Sequence, residues 1–553
     1  MKNAIITLSV LLSVLSSCTQ TVTVIELSDY GIVPGSDGLT DKMNTVICGL
    51  RDSRKDSLVL KLKPGRYDFY PSEAFVRTCF ISNHGRFEGS VGIDMEGVSH
   101  FMLDGCGSDM VFHGVMMPVR LSRSSNCTLK DFSIDVAEPL ADIGVVETDS
   151  TGTIRKFNVL YDNPDINPFF ATVVDAKTRH IVYDTGDVSL PYDAPEGSVM
   201  IMRSGVRPCP GIFLDDDVNT TLASVSIYGA HGMGVLAQMC HNVNLDGCSV
   251  IPRDGNHFMS ALCDATHFSQ CSGTIVSTGG HYESMGDDAI NVHGIGLSVT
   301  EIVDNSTLLM RFCHHETFGL DWGRPGDEIQ FLSKQSSLPV GAGHISAIRT
   351  LDEKTLEVKV KGSLPPGICS AGDLCVENLT RTPSVVFCNN HIGNNRARGA
   401  LFTTPRKVVV SGNSFDHVAG TAILISGDCN SWYETGACRD VLISDNEFIN
   451  CLTSRYGGCR AVISIAPEIA DMQAQNGDCY HSGIRIENNR FYDFGSPLLY
   501  ARSVKGLYVK GNVLTLNSEY PPLFPETPAV TLSQVGDSDI QEDLLYLCST
   551  LKL

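Results

Sequence analysis

Short alternations of apolar and polar residues recur along this chain, and five of them near its end share one design. VVFCNNHI (385–392), VVVSGNSF (408–415), VLISDNEF (441–448), IRIENNRF (484–491) and LYVKGNVL (507–514) each run as an apolar strand, then Asn, one residue, and an apolar residue. Alternation with period two predicts half-buried β-strands. The interval is regular too: Asn390 to Asn413 and Asn489 to Asn512 are both 23 residues. The same spacing links Leu222, Leu245 and Phe268, then Val225, Cys248 and Cys271, then Ile227 and Val250. A fixed period of this size with short strands predicts a solenoid in which one repeat is one coil. Asn390, Asn413, Asn446, Asn489 and Asn512 are expected to be structural, since Asn tolerates tight left-handed bends and bonds nearby backbone. Longer gaps up to Asn446 and Asn489 imply loops inserted into single coils.

Two stretches, about 138–210 and 295–380, keep the alternation but lose the Asn signature, as in HISAIRTLD followed by EKTLEVKVKG. Gly/Pro/Asp turns such as RPGDEIQFL and LPVGAG separate their strands, which predicts small antiparallel barrels or sandwiches. A solenoid accepts such insertions because only neighbouring coils must pack. The opening segment, IELSDYGIVPGSDGLTDKMNTVICGL followed by LVLKLKPGRYDFY, resembles that of pectin-lyase-like right-handed β-helices, where a short helix closes the exposed first coil. The expected fold class is therefore all-β: a right-handed parallel β-helix with two inserted small β-barrel-like domains. The expected organisation is a leader at 1–17, a cap and first coils at 24–137, and a first insertion at 138–210. Central coils at 211–294, a second insertion at 295–380, closing coils at 381–540 and a tail at 541–553 complete it.

Composition narrows the partners. The 51 glycines, two tryptophans and mean hydropathy of +0.03 fit a chain rich in strands and turns. A net charge of −22 without a basic run argues against nucleic acid and against polyanionic polysaccharide, and favours a neutral ligand. Lys2, the apolar run 4–15 and Leu15-Ser16-Ser17-Cys18 read as a secretory leader ending in a bacterial lipobox. That predicts an exported lipoprotein held at the cell envelope by a lipid on Cys18, with no other membrane contact. The remaining cysteines sit at irregular spacings, several on strands, and are expected to be buried thiols; no Cys/His cluster suggests a metal site.

The chemistry centres on Asp264 in CDATHF and Asp287-Asp288 in GHYESMGDDAINVHG. His241, Asp264 and Asp287 are each 23 apart, so the period stacks them as a column on adjacent coils, roughly 4.8 Å per step. Carboxylates gathered this way repel, so one keeps a proton while another ionises, the division of labour that glycoside hydrolysis needs. Gly286 is expected to let the backbone turn so that both aspartates of the pair reach the same side.

At these residues a family resemblance becomes specific. GDDAINVHG, CDATHF, NNRARGALFTT (394–404) and CNSWYETG (429–436) resemble glycoside hydrolase family 110, and the likeness spans nearly the whole mature chain. It implies a cofactor-free, exo-acting α-1,3-galactosidase that removes terminal galactose from blood group B-type glycans, and in some members from linear ones, by inverting single displacement. It further implies Asp287 as general acid, with Asp264 and Asp288 activating water. The trio is also similar to that of family 28 polygalacturonases, but their later Gly-His-Gly and Arg-x-Lys motifs are not evident here. A polysaccharide lyase and a non-catalytic β-helix adhesin are the alternative classes. Around the trio, Trp432 is a candidate to stack on a sugar face and Glu434 to bond hydroxyls, as are Arg396 and Arg398. Asn256, His257, Asn291 and His293 are candidates either to touch the sugar or to orient the aspartates. His314 and His315 read as surface residues of the second insertion.

Overall fold

The computed structural model describes residues 22–51, 57–148, 154–161, 168–184, 195–368, 370–454 and 458–546; Cys18 and the leader lie outside them. Strands stack in parallel register into one 32-stranded sheet system that winds as a β-helix. The amphipathic helix Leu39–Arg51 closes the first coils and buries Leu39, Met43 and Ile47 in the solenoid core. No helix among the described residues is long and apolar enough to cross a membrane.

The interior is a set of stacked apolar columns, such as Phe415, Phe448 and Phe491, whose rings stack 5.2 and 4.9 Å apart. Beside them runs the asparagine ladder. Each side-chain amide from Asn390 to Asn489 donates to the Oδ1 of the next Asn, at 3.1, 2.9, 2.9 and 2.9 Å. The same Oδ1 atoms accept the backbone N–H of the preceding rung's Asn at 2.9–3.0 Å. The left-handed residue at each bend is the one before the ladder Asn: Asn389, Gly412, Asp445, Asn488 and Gly511 all have positive φ. The ladder asparagine is thus selected for its amide, and its neighbour absorbs the turn.

The 23-residue period is real but not universal. Leu222 pairs with Leu245 and Ile227 with Val250, as the spacing predicts. The next coil is longer: His241 pairs with Ser272 and Val243 with Ile275, because the loop Ile251–Cys263 is threaded into it. Cys271 therefore stacks on Cys240 rather than on Cys248, and Phe268 on Ala237 rather than on Leu245. The column of His241, Asp264 and Asp287 does not form. His241 lies on a different strand, its Nδ1 3.0 Å from Ser272 Oγ. From Thr266 to Ile290 the step is 24 residues, so the residue beside Asp264 is Asp288. The Ala265 N–H donates to the Asp288 carbonyl at 2.8 Å.

Both breaks in the Asn signature hold antiparallel sheets. Strands between Ala141 and Ser204 form a five-stranded sheet, and those between Leu297 and Asn378 close into a six-stranded barrel with its own core around Trp322. The barrel leaves the solenoid directly after strand Ile290–Ile295; the next coil begins at Ser384–Cys388, and its strand Ala400–Thr403 stacks in register on Ile290–His293. Every cysteine among the described residues is a free thiol, most of them buried.

Replacing Asn446 with Ala would leave the backbone N–H of Asn413 and one hydrogen of its side-chain amide buried without an acceptor, the other still donating to the Phe387 carbonyl. The expected cost is about 1–3 kcal/mol for each unsatisfied group, read as a lowered midpoint in thermal or chemical denaturation; an unchanged midpoint would show that the ladder is not structural.

Candidate active site

Asp264 ends the loop that enters strand Thr266–Ser269, and Asp287-Asp288 occupy the equivalent bend before Ile290–Ile295 on the next coil. The backbones approach so closely there that a Cβ on Gly286 would fall 2.3 Å from the Leu262 carbonyl oxygen. Gly286 has ordinary negative φ, so it is the lack of a side chain, and not a sharp turn, that the site requires. Arg203 from the first insertion seals this approach, donating to the carbonyls of Leu262 and Gly286 at 2.9 and 3.3 Å.

The three carboxylates bring one oxygen each to within 4.8 Å of one another, but they face different surroundings. Asp264 and Asp287 line a polar cavity of about 300 Å³; Asp288 does not. The Asp288 side chain is fully buried, and its two oxygens accept the Arg398 Nε–H and Nη2–H at 2.8 Å each, with the Arg398 backbone N–H at 3.1 Å. Three of its roughly four acceptor sites are taken by the arginine, so Asp288 anchors Arg398. Arg398 also reaches Asp287, at 3.5 Å.

Electrostatics divide the pair that lines the cavity. Burial, and then the Asp287 charge, push Asp264 well above the usual carboxylate range. Burial alone would raise Asp287 too, but Arg398, Arg396, Arg203 and Arg207 hold it below that range. One group is thus favoured as the acid form and its neighbour as the carboxylate, and two groups this close titrate as a pair. Three clustered carboxylates can also hold a cation; here the surrounding arginines already supply the positive charge. A separate set, His180, His417 and Glu519, has metal-ligand spacing but lies outside this cavity.

The walls come from distant parts of the chain. Asn83, on the turn between strands Phe75–Ile81 and Gly85–Glu96, donates to Glu434 Oε1 at 2.9 Å. Arg207 follows the first insertion and pairs with Glu316 of the second. Trp432 is 43% exposed at the cavity rim, and His314 of the barrel stacks on it at 4.2 Å, so His314 is not the plain surface residue its sequence suggests. Asp428 gathers the backbone N–H groups of Ser431, Trp432 and Tyr433, which fixes that loop.

Of the sequence candidates, Asp264, Asp287, Asn291, Arg398, Trp432 and Glu434 line the cavity. Asn291 Oδ1 and Asp287 Oδ1 are buried with no hydrogen-bond partner among the described residues. His293 lies beneath the floor, and Arg396 stands behind Asp287 with its guanidinium 5.1 Å over the Phe170 ring. Asn256 and His257 do not join the site: they tip the exposed loop that lengthens the coil, held by Asp254. Residues without a sequence signal complete the site: Asn83, Arg203, Arg207, Asp428 and Glu468. His267 had a signal, its place three residues after Asp264 in CDATHF.

A polar cavity on a β-helix, lined by neighbouring carboxyl groups of opposed proton affinity, is suited to glycoside hydrolysis. Comparison with known proteins agrees. The family described as GLAA-B beta-barrel domain II matches residues 307–375, within the six-stranded barrel. The chain is 41% identical to alpha-1,3-galactosidase B of Parabacteroides distasonis, over 90% of this chain and 89% of that one. It is 40% identical to alpha-1,3-galactosidase B of Bacteroides fragilis, over 96% and 98%. The same figure holds for the enzyme of that name from Phocaeicola vulgatus, over 97% and 100%. Among solved structures, the exopolygalacturonase of Thermotoga maritima shares 9% identity over 94% of this chain and 92% of that one, with a TM-score of 0.39, too loose a likeness to bear on the chemistry. The chain belongs to the alpha-1,3-galactosidase B family.

Substituting Arg398 with Gln would strand the buried Asp288 and release Asp287 from its nearest cation. The expected outcome is a loss of about 3–5 kcal/mol in stability, measured by chemical denaturation, together with loss of hydrolysis; full retention of both would refute the anchoring role.

Proposed function

We propose that this protein is an exo-acting α-1,3-galactosidase that removes terminal galactose from blood group B-type glycans and related neutral galactosides, without a cofactor. The observation that carries the reading is the Asp264–Asp287 pair, one favoured as acid and one as carboxylate, on the wall of a cavity sized for a single hexose. Trp432 offers its open rim face to the sugar, and the unpartnered Asn291 Oδ1 an acceptor for a hydroxyl. A second cavity of about 420 Å³ shares Arg398, Leu424, Ser426 and Glu468 with the first, and gives room for the leaving glycan and its branch. The strong acidity of the chain fits a neutral substrate. The leader and Cys18 support export and lipid anchoring at the cell envelope.

In this reading the shared proton, favoured on Asp264 at rest, first passes to Asp287, which protonates the leaving oxygen while Asp264, now a carboxylate, takes a proton from the attacking water. Single displacement follows from the family resemblance. One observation favours a second reading: oxygens within 4.8 Å are closer than the about 6.5–9.5 Å usual for inverting pairs and nearer the about 5 Å of double-displacement enzymes. The anomer released first decides between them, β-galactose for inversion and α-galactose for retention, by proton NMR of early product.

The purified protein is expected to release galactose from an α-1,3-galactosyl oligosaccharide in the presence of a chelator, and Asp287→Asn to lose at least about 100-fold in kcat. No galactose from either linear or fucose-branched substrates would refute the activity. An unsaturated product would indicate a lyase, and unchanged activity in Asp287→Asn would remove Asp287 from the chemistry.

A further inference from the structure

A chain of hydrogen bonds runs beneath the cavity floor, and its direction is set at the far end. His293 Nδ1 lies 2.9 Å from the Gly294 carbonyl oxygen, which can only accept, so Nδ1 carries the hydrogen. A neutral His293 then presents Nε2 as an acceptor, 2.8 Å from His267 Nε2, which must donate. A neutral His267 is left with an acceptor at Nδ1, 2.7 Å from Asp264 Oδ2. The only hydrogen available to that contact is one on Asp264. We propose that His267 and His293, polarised by the Gly294 carbonyl, place the resting proton of the carboxylate pair on Asp264 and leave Asp287 ionised. His267 is then a positioning residue for the hydrolysis, an inference that rests on the galactosidase reading above.

The surroundings favour a neutral His267. The side chains of His267 and His293 are 0% and 1% exposed. Burial, and then His293, keep His267 well below the usual histidine range. The charged or titratable groups that face His267 are Asp264, His293, Glu434, Arg207, Asp287 and His84. Those that face Asp264 are Asp287, Asp288, Arg398, Arg207 and Cys263. His293 Nε2 also stands 3.6 Å from Glu434 Oε1, which ties the chain to the opposite wall.

The arrangement closes the catalytic cycle. In single displacement Asp287 gives its proton to the leaving oxygen while Asp264 takes one from water. Turnover therefore ends with an O–H on Asp264 and a carboxylate on Asp287, the state this chain stabilises. Moving that one proton from Asp264 to Asp287 resets the pair, with no proton gained or lost.

Two measurements test this. In the full-length protein without substrate, ¹⁵N-histidine NMR should show His267 bare at Nδ1 and protonated at Nε2. ¹³C-aspartate NMR should show a protonated carboxyl at neutral pH that vanishes in Asp264→Asn. A His267 protonated at Nδ1 beside an ionised Asp264, or a doubly protonated His293, would overturn the proposal whether or not galactose is released. In kinetics, His267→Leu removes the acceptor that stabilises protonated Asp264, so the shared proton is lost at lower pH. The alkaline limb of kcat/KM should move to lower pH, with KM little changed. His267→Asn, whose Oδ1 keeps an acceptor near the Nδ1 position, should restore the limb. An alkaline limb unmoved in His267→Leu would overturn the proposal; inactivity of the wild type with the NMR pattern intact would instead refute the galactosidase reading alone.

Discussion

The site depends on the register of two coils. The hydrogen bond from the Ala265 N–H to the Asp288 carbonyl fixes Asp264 beside the Asp287-Asp288 bend, and the bare Gly286 lets the two backbones approach that closely. Side chains alone would not hold three carboxylates together, since mutual repulsion and lost hydration both oppose it. A parallel solenoid does so because the backbone ladders to both neighbouring coils must be broken before one rung can shift. The asparagine ladder extends the same constraint along the closing coils.

Onto that scaffold the two insertions and the first hairpin bring charge. Arg203 and Arg207 bracket the return of the first insertion, and Glu316 and His314 belong to the second; Asn83 sits on the hairpin and Arg398 on the following coil. Together they give neighbouring carboxyl groups opposite tendencies, which is how one fold can present an acid and a base at the same pH. Asp288 shows the cost of the arrangement: it is an acidic residue in the signature motif whose oxygens accept from Arg398 and which does not line the cavity.

Much of this was legible in the sequence. The period and the Asn-x-apolar signature gave the solenoid, because stacked coils repeat one chemical requirement at one position. The motifs around Asp264, Asp287, Asn291, Arg398, Trp432 and Glu434 gave half of the cavity lining. Register was not legible. Coil lengths vary: one extra residue between Ser272 and Ile275 makes the step after Asp264 24 residues. The 23-residue spacing of Asp264 and Asp287 is therefore a coincidence with the period, and the inserted loop Ile251–Cys263 takes His241 out of the column. That loop also made Asn256 and His257 look adjacent to the site when they point away from it. Asn83 and Arg207 had no signal, because their meeting with the cavity follows from tertiary packing across hundreds of residues. The histidine chain lay hidden in two motifs, and only distances reveal that they touch.

The central claim is that Asp264 and Asp287 work as one proton-sharing unit. A double-mutant cycle tests it most directly: kcat/KM for galactose release by Asp264→Asn, Asp287→Asn and the double variant. If the pair acts as a unit, the double variant is no worse than the poorer single variant, since the first substitution already abolishes what the second would remove. Losses that multiply would contradict the account and assign the two aspartates independent roles.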